Sequence, residues 1–566
     1  MPQAARPILR TTRVLLVLSL AYWVLARNTG SVVQAKPGPS ASVVGQWSAV
    51  QSWPVASVHA ALLPTGKVLF YSYADDPRVW DPATGTIVNT AQVGYNVFCS
   101  GLTLLSDGRL FVAGGHINFN VGFNHVSIYN PSTDTWSPQP DMNAGRWYPT
   151  ATTLTDGSVL VISGDIDTTV GVNLLPQVWS NGTWRDLTSA QIALGLYPFM
   201  LQAPNGQVFN AGPQQTARYL DTSGSGSWTD SATSAGGYRS YGTAVMYEPG
   251  KVLIVGGVDP PIASAEAIDL NVQDPAWRPA GSMASARRHL NATVLPDGAV
   301  LVTGGSSGAG FDNAAAPVYA AERWDPATGL FTTLASATTY RGYHSIALLL
   351  PDGRVLSSGG DNQPSAELFS PPYLFKGARP VVSSSPSAIA YGQPFFVPTP
   401  NATSITAVTL VRSSAVTHAF NMNQRFLRLA FAQAAGGLNI TAPPAAELAP
   451  PGDYMLFVLN GNGVPSAAPM IRVTAGPASP AAPSSLVATR RAGGPITLTW
   501  TDNASSESGF AIERSPDGRT FTQIATVGPD VSTYVDSTPG VPKNSYYRVR
   551  AFGAGGYSGY SNTAKI

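Results

Sequence analysis

Short apolar strands separated by glycine-bearing turns fill most of this chain. Seven such turns end in Gly66, Gly108, Gly157, Gly206, Gly250, Gly298 and Gly353. An apolar strand precedes each turn, and the strand that follows usually ends in small residues. Examples are Leu110-Phe111-Val112-Ala113-Gly114-Gly115, Val252-Leu253-Ile254-Val255-Gly256-Gly257 and Val300-Leu301-Val302-Thr303-Gly304-Gly305. Five of the seven turns carry Asp-Gly or Asn-Gly, which predicts two-residue hairpins, because such pairs reach positive φ at little cost. The turn glycines are spaced by 42, 49, 49, 44, 48 and 55 residues, a period suited to four-stranded propeller blades.

An aromatic-Asx-Pro signal recurs further along several repeats, at Trp80-Asp81-Pro82, Tyr129-Asn130-Pro131 and Trp324-Asp325-Pro326. This punctuation resembles kelch repeats. The expected architecture is all-β, led by a seven-bladed kelch-like β-propeller over residues 44–375. The repeat then stops. Strand patterns such as Ala407 to Val411 and Tyr454 to Leu459 predict an immunoglobulin-like sandwich over 376–475. Gly-Pro-Ala-Ser-Pro-Ala-Ala-Pro at 476–483 reads as a stiff linker. The last segment, 484–566, alternates through Ile496-Thr497-Leu498-Thr499-Trp500 and carries Tyr546-Tyr547-Arg548-Val549 late, so it resembles a fibronectin type III module.

Composition narrows the function. Thirty-three basic residues balance 32 acidic ones, which leaves no basic surface to neutralise phosphates and argues against nucleic acid as a partner. Arg6, Arg10 and Arg13 precede an apolar stretch from Val14 to Ala26, short for a membrane span and suited to a signal peptide at 1–26. That predicts a protein secreted, held at the cell surface or periplasmic. Exported proteins normally pair their cysteines, yet this chain has one, Cys99. It is either a small buried apolar group or a group committed to other chemistry.

Counting back nine residues from each turn glycine gives Ser57, Cys99, Tyr148, Tyr197, Tyr241, His289 and His344. Tyr, His and Cys make up 29 of 566 residues, so chance would fill about one slot in twenty, not six of seven. In a propeller such equivalent positions lie near the mouth of the central channel, and their side chains point to one place. The segments around Cys99, Tyr148, Tyr343-His344 and His418, read together, offer two imidazoles and two phenols, which suit Cu(II) with its preference for nitrogen and oxygen donors. Tyr343 and His344 are adjacent, so a regular strand would send them to opposite faces and some bending is required. Taken singly, a strand tyrosine or histidine is more often structural. His116 follows Gly114-Gly115 and is a weaker candidate, while His59 and His125 read as structural.

Four segments resemble the galactose oxidase and glyoxal oxidase family of copper radical oxidases: Phe98-Cys99-Ser100-Gly101, Arg146-Trp147-Tyr148-Pro149, Arg341-Gly342-Tyr343-His344-Ser345 and Thr417-His418-Ala419-Phe420-Asn421. So does Pro450-Pro451-Gly452-Asp453-Tyr454, followed by Gly463-Val464-Pro465-Ser466. The resemblance spans roughly 44–475. It implies a thioether between Cys99 and the Tyr148 ring, with one copper ion held by Tyr148, Tyr343, His344 and His418. Tyr148 would carry the radical and Tyr343 would act as the base. His418 would come from a sandwich-domain loop reaching into the channel. The implied reaction oxidises a small aldehyde or primary alcohol with O2 and yields H2O2. Tyr197, Tyr241 and His289, which match no ligand motif, are expected to line the substrate pocket.

One departure stands out. Galactose oxidase stacks a tryptophan over the cross-linked tyrosine from eighteen residues downstream, and here that position is Ile166. Phe119 or Phe123 is a candidate cover. The Arg-Trp-Tyr-Pro and Leu196-Tyr197-Pro198 segments, with Ser370-Pro371-Pro372-Tyr373, look closer to the glyoxal oxidase branch. The competing reading is a catalytically inactive propeller that binds carbohydrate. The chain is expected to act as a monomer, with the last module as a contact for cell-surface or extracellular polysaccharide.

Overall fold

The computed structural model of the chain describes residues 39–475, 480–490, 494–505, 507–553 and 556–566. The expected signal at 1–26 and the first half of the expected linker, 476–479, lie outside these residues. Among the described residues no helix is long and apolar enough to cross a membrane.

Among the described residues, seven antiparallel sheets of four or more strands follow one another from His59 to Ser370. Five have four strands in sequence order around one hairpin core; the first and last are extended by strands from elsewhere in the chain. The first strands are short: His59–Leu62, Gly101–Leu104, Thr150–Thr153, Met200–Gln202, Thr243–Glu248, Asn291–Val294 and Ser345–Leu349. They are buried nearly throughout, whereas a fourth strand such as Ser227–Thr233 is mostly exposed or half-exposed. The difference follows from packing. First strands meet those of neighbouring sheets and have no solvent face, so their residues do not alternate in polarity.

The last sheet is completed by the chain's beginning, since Gln46–Trp47 and Gln51–Ser52 pair antiparallel with Ser365–Ser370. Glycine makes this circular packing close. A Cβ on Gly359, at φ +72°, would overlap the Ser57 carbonyl of the first sheet. One on Gly304 would meet the Arg341 carbonyl of the next sheet in the same way, at 2.5 Å.

The seven turn glycines all have positive φ, but none of the five Asx-Gly turns is the two-residue hairpin predicted for it; that form is found at Pro249-Gly250, where Glu248 pairs with Lys251. The other six turns are three-residue loops. In the first, the Gly66 N–H donates to Leu63 O and the Leu63 N–H donates to Lys67 O. The Asx residue serves a different purpose from the one predicted. Asp107, Asp156, Asn205, Asp297 and Asp352 each accept the backbone N–H two residues on, across the glycine. A turn with a left-handed glycine in third place needs that extra residue.

A buried arginine recurs just before the first strand. Arg239, Arg287 and Arg341 pair with Glu266, Glu322 and Glu367 of the third strand, at 2.6, 2.5 and 3.5 Å. Each also donates to the carbonyl of Gly256, Gly304 or Gly359. In the third sheet Arg146 makes the same reach, but to Gln177 and the Ser163 carbonyl. Removing one partner of such a buried pair costs about 3–5 kcal/mol, because the other charge is left stranded. These pairs fix the backbone that carries the slot residues.

Beyond Ser370 two sheets of five and three strands enclose a core of Val397, Leu410, Leu438, Leu456 and Ile471. One hairpin leaves this unit. Its strand Ala415–Thr417 pairs with His59–Leu62 of the first sheet, and Phe420–Asn421 returns along it. The final residues form two further sheets around Trp500, Phe510, Ile512 and Tyr547.

Candidate functional site

Six slot residues share an unusual backbone. Cys99, Tyr148, Tyr197, Tyr241, His289 and His344 have φ of 65°, 68°, 46°, 53°, 59° and 63°. Side chains with a Cβ rarely adopt this left-handed region, at a cost of about 1–3 kcal/mol each, and it recurs at functional sites. Hydrogen bonds from sheet to sheet hold it in place. Tyr148 N–H donates to Cys99 O at 2.9 Å, Tyr197 N–H to Tyr148 O at 2.9 Å, and His289 N–H to Tyr241 O at 2.8 Å. The slot residues therefore form linked segments of a ring around the axis, each turned inward just before its strand begins.

Four polar atoms meet there. The Tyr148 and Tyr343 hydroxyls are in contact closer than an ordinary hydrogen bond. His418 Nε2 lies 2.8 Å from the Tyr148 hydroxyl, and His344 Nε2 lies 3.4 Å from it. His418 arrives on the hairpin from the sandwich unit, at a turn where His418 and Ala419 are both left-handed. The left-handed His344 also explains how neighbouring side chains converge: the strand's alternation breaks there, and the Tyr343 and His344 rings lie 3.7 Å apart.

Burial sets the protonation of this cluster. It raises the pKa of both the Tyr148 and the Tyr343 phenols, aided by neighbouring acidic groups. It pushes the His418 pKa well below the usual imidazole range, with His344 as the next cause. Proton counting fixes the ring. Thr417 Oγ1 gives its one proton to Val58 O at 3.0 Å, so at 2.6 Å from His418 Nδ1 it accepts, and Nε2 keeps its lone pair. Two phenols and two imidazole nitrogens brought together in this way fit a Cu(II) ion, whose charge would displace the phenolic protons.

Cys99 is fully buried, and its thiol lies against Tyr148 and Trp147, with burial pushing its pKa up. Its sulfur is 3.9 Å from His116 Nδ1. The cover over Tyr148 is neither Phe119 nor Phe123. Trp147, the preceding residue, lies flat on the Tyr148 ring, with its indole N–H donating to His116 Nδ1 at 3.0 Å. Phe119 packs edge-on to Trp147 one layer out, and Phe123 stacks on His125.

The expected pocket residues divide. Tyr197 stacks on Tyr148 at 4.6 Å and donates its hydroxyl to Ser100 O at 2.9 Å. Tyr197 and Tyr241 line a cavity of about 560 Å³, counted with its opening, together with Leu196, Phe199, Tyr238 and His418. His289 lies off that wall. Its Nε2 donates to Phe311 O at 2.5 Å, and its ring packs 5.2 Å from Tyr343. Burial lowers its pKa to about 4, so it is neutral at ordinary pH. His59 stacks on Tyr71 and lies edge-on to His418, while the exposed His125 pairs with Asp141.

Sequence reasoning missed Trp147 as a cover, and it missed Asp361, which accepts from His344 Nδ1 at 2.5 Å and from the Tyr73 hydroxyl at 2.7 Å. A signal existed for Asp361. Seventeen residues after its slot, just past a Gly-Gly pair, His116 faces Cys99 and Asp361 faces His344.

The family models described as glyoxal oxidase N-terminus, galactose oxidase-like Early set domain and kelch motif match residues 260–372, 379–473 and 103–143. The chain is 32% identical to galactose oxidase of Gibberella zeae over 76% of its own length and 71% of that protein. It is 29% identical to aldehyde oxidase GLOX of Vitis pseudoreticulata, over 67% of this chain and 82% of that one. A solved structure described as a novel fungal alcohol oxidase of the AA5 family, in complex with copper, superposes with a TM-score of 0.70 at 28% identity. It covers 76% of this chain and all of that one. The protein thus belongs to the galactose oxidase and glyoxal oxidase family of copper radical oxidases.

Proposed function

We propose that the chain is an exported, monomeric oxidase that converts a small primary alcohol or aldehyde with O2 and releases H2O2. The observation that carries this reading is the meeting of two phenol oxygens and two imidazole Nε2 atoms in one buried spot, with the lone cysteine against one of the phenols. Tyr148, Tyr343, His344 and His418 would hold one copper ion, which when bound supplies a one-electron couple beside an oxidisable ring. All four come from a single chain, so the site needs no second copy. The net reaction is RCH2OH + O2 → RCHO + H2O2, and an aldehyde enters as its hydrate to leave as the acid.

Within that reaction the Tyr343 hydroxyl oxygen would take the substrate's hydroxyl proton, and the Tyr148 oxygen a hydrogen atom from the adjacent carbon. The two oxygens are already in contact, so one substrate carbinol can face both. A Cys99–Tyr148 thioether would form with loss of the thiol hydrogen and one ring hydrogen, with O2 as the acceptor. Sulfur would then share the unpaired spin, and Trp147 would shield it from water. The cavity wall is mainly tyrosine rings with Leu196, Phe199 and Pro213 and carries no carboxylate or ammonium group, which favours small uncharged substrates.

The seven sheets read as the blades of a kelch-like propeller over 44–375, with an immunoglobulin-like unit at 376–475 and a fibronectin type III-like unit at 484–566. In the last unit Tyr557 and Tyr560 are exposed and stacked with Arg550 and Arg548, a surface suited to polysaccharide. The rival reading, a binding module without turnover, has no use for a buried N2O2 set or for a cysteine held against a tyrosine. Copper-loaded protein supplied with small primary alcohols and aldehydes should consume O2 and release H2O2 in equal amounts. No O2 uptake with any of them after full copper loading would favour the binding module.

A further inference from the structure

The two imidazoles at the centre of the site are held from behind by different chemistry. His418 Nδ1 donates to Thr417, a neutral hydroxyl with no exposure. His344 Nδ1 faces Asp361, whose carboxylate is 45% exposed while the His344 side chain is 7% exposed. That carboxylate oxygen accepts from the Tyr73 hydroxyl as well, and Tyr73 stands edge-on to the His344 ring at 5.3 Å. The backbone holds Asp361 in register, because its N–H donates to Tyr343 O at 3.0 Å and the Gly360 N–H donates to His344 O at 3.1 Å. A carboxylate can only accept, so the proton between the two groups belongs to His344 Nδ1 and the lone pair is left on Nε2.

We propose that Asp361 is a positioning residue of the metal site, fixing His344 with Nε2 toward the ion and making it the more strongly donating of the two imidazoles. This rests on the copper reading above. A carboxylate behind a ligating histidine raises the basicity of the ring and fixes its orientation, and losing such a partner typically costs about 10–100-fold in metal affinity. Tyr73 limits the effect by sharing the carboxylate. The arrangement makes the site asymmetric: one imidazole is backed by an anion open to solvent, the other by a buried neutral group.

The test uses the full-length apo-protein titrated with Cu(II) against a competing chelator, followed by electron paramagnetic resonance of the loaded forms. Asp361→Ala should bind Cu(II) about 10–100-fold more weakly and show an altered nitrogen hyperfine pattern. Asp361→Asn keeps an oxygen acceptor without the charge, so it should fall between the wild type and Asp361→Ala. The exposure of Asp361 makes both variants tolerable to the fold, and equal apo unfolding midpoints would establish that. Wild-type affinity and spectrum in Asp361→Ala would overturn the proposal while leaving the copper reading intact. Failure of the wild-type protein to bind Cu(II) would overturn both.

Discussion

The indole of Trp147 lies on the phenol ring of Tyr148 with centroids 3.7 Å apart and planes 9° from parallel. Neighbouring residues rarely stack, and here the left-handed Tyr148 backbone folds the two rings together. A stacked aromatic pair is worth about 1 kcal/mol beyond its buried area. Trp147→Ala should therefore shorten the lifetime of the oxidised, radical-bearing form by roughly tenfold or more, since it also opens the ring to water. Trp147→Phe keeps a cover but loses the donor to His116, and should fall between. The decay of the radical's visible absorption measures both, and equal lifetimes in all three proteins would mean that Trp147 does not protect the radical.

Cys99→Ser should leave the fold intact, because the change is small and the site is held by backbone bonds from sheet to sheet. Most turnover should vanish while Cu(II) binding persists, since the sulfur is not among the four converging donors. Steady-state peroxide release and copper content, measured on one preparation, separate the two effects. A fully active serine variant would exclude the thioether mechanism.

The buried ion pairs make a prediction about acid. Burial disfavours a charged Glu266, but bonds from Arg239, Ser234 and the Ala235 N–H outweigh it and hold its pKa below the ordinary value. A depressed carboxylate stabilises the fold above its unfolded-state pKa, and that contribution is lost as pH falls through the folded-state value. The wild-type unfolding temperature should drop more steeply than that of Glu266→Gln between about pH 5 and pH 3. At pH 7 the variant should be the less stable of the two, by about 3 kcal/mol, because Arg239 is left without its charge partner.

Gly359→Ala tests the closure of the ring. The added methyl group would collide with the Ser57 carbonyl and impose a left-handed alanine. Thermal unfolding should show a loss of more than about 1 kcal/mol. An unchanged midpoint would mean that the first and last sheets do not pack as closely as described.

Much of this fold is legible in the sequence because propeller symmetry writes itself as a period. The turn glycines mark the sheets, and the offset of nine picks out the inward residues. The backbone at those residues is not legible. Left-handed φ is looked for at glycine, whereas here tyrosine, histidine and cysteine adopt it under the constraint of neighbouring sheets. That same blind spot hides Trp147, since alternation along a strand would turn it away from Tyr148. The turns mislead for a local reason: Asp-Gly signals a two-residue loop, whereas the Asp side chain bridges a three-residue one. Asp361 stays hidden because its partner is defined only once the His344 ring has an orientation.

The cross-link is tested most directly by peptide mass mapping of the protein after copper loading in air. The peptides containing Cys99 and Tyr148 should be recovered joined, lighter than their sum by two hydrogens. Recovery of both peptides separate and unmodified after full copper loading would contradict the radical-oxidase reading.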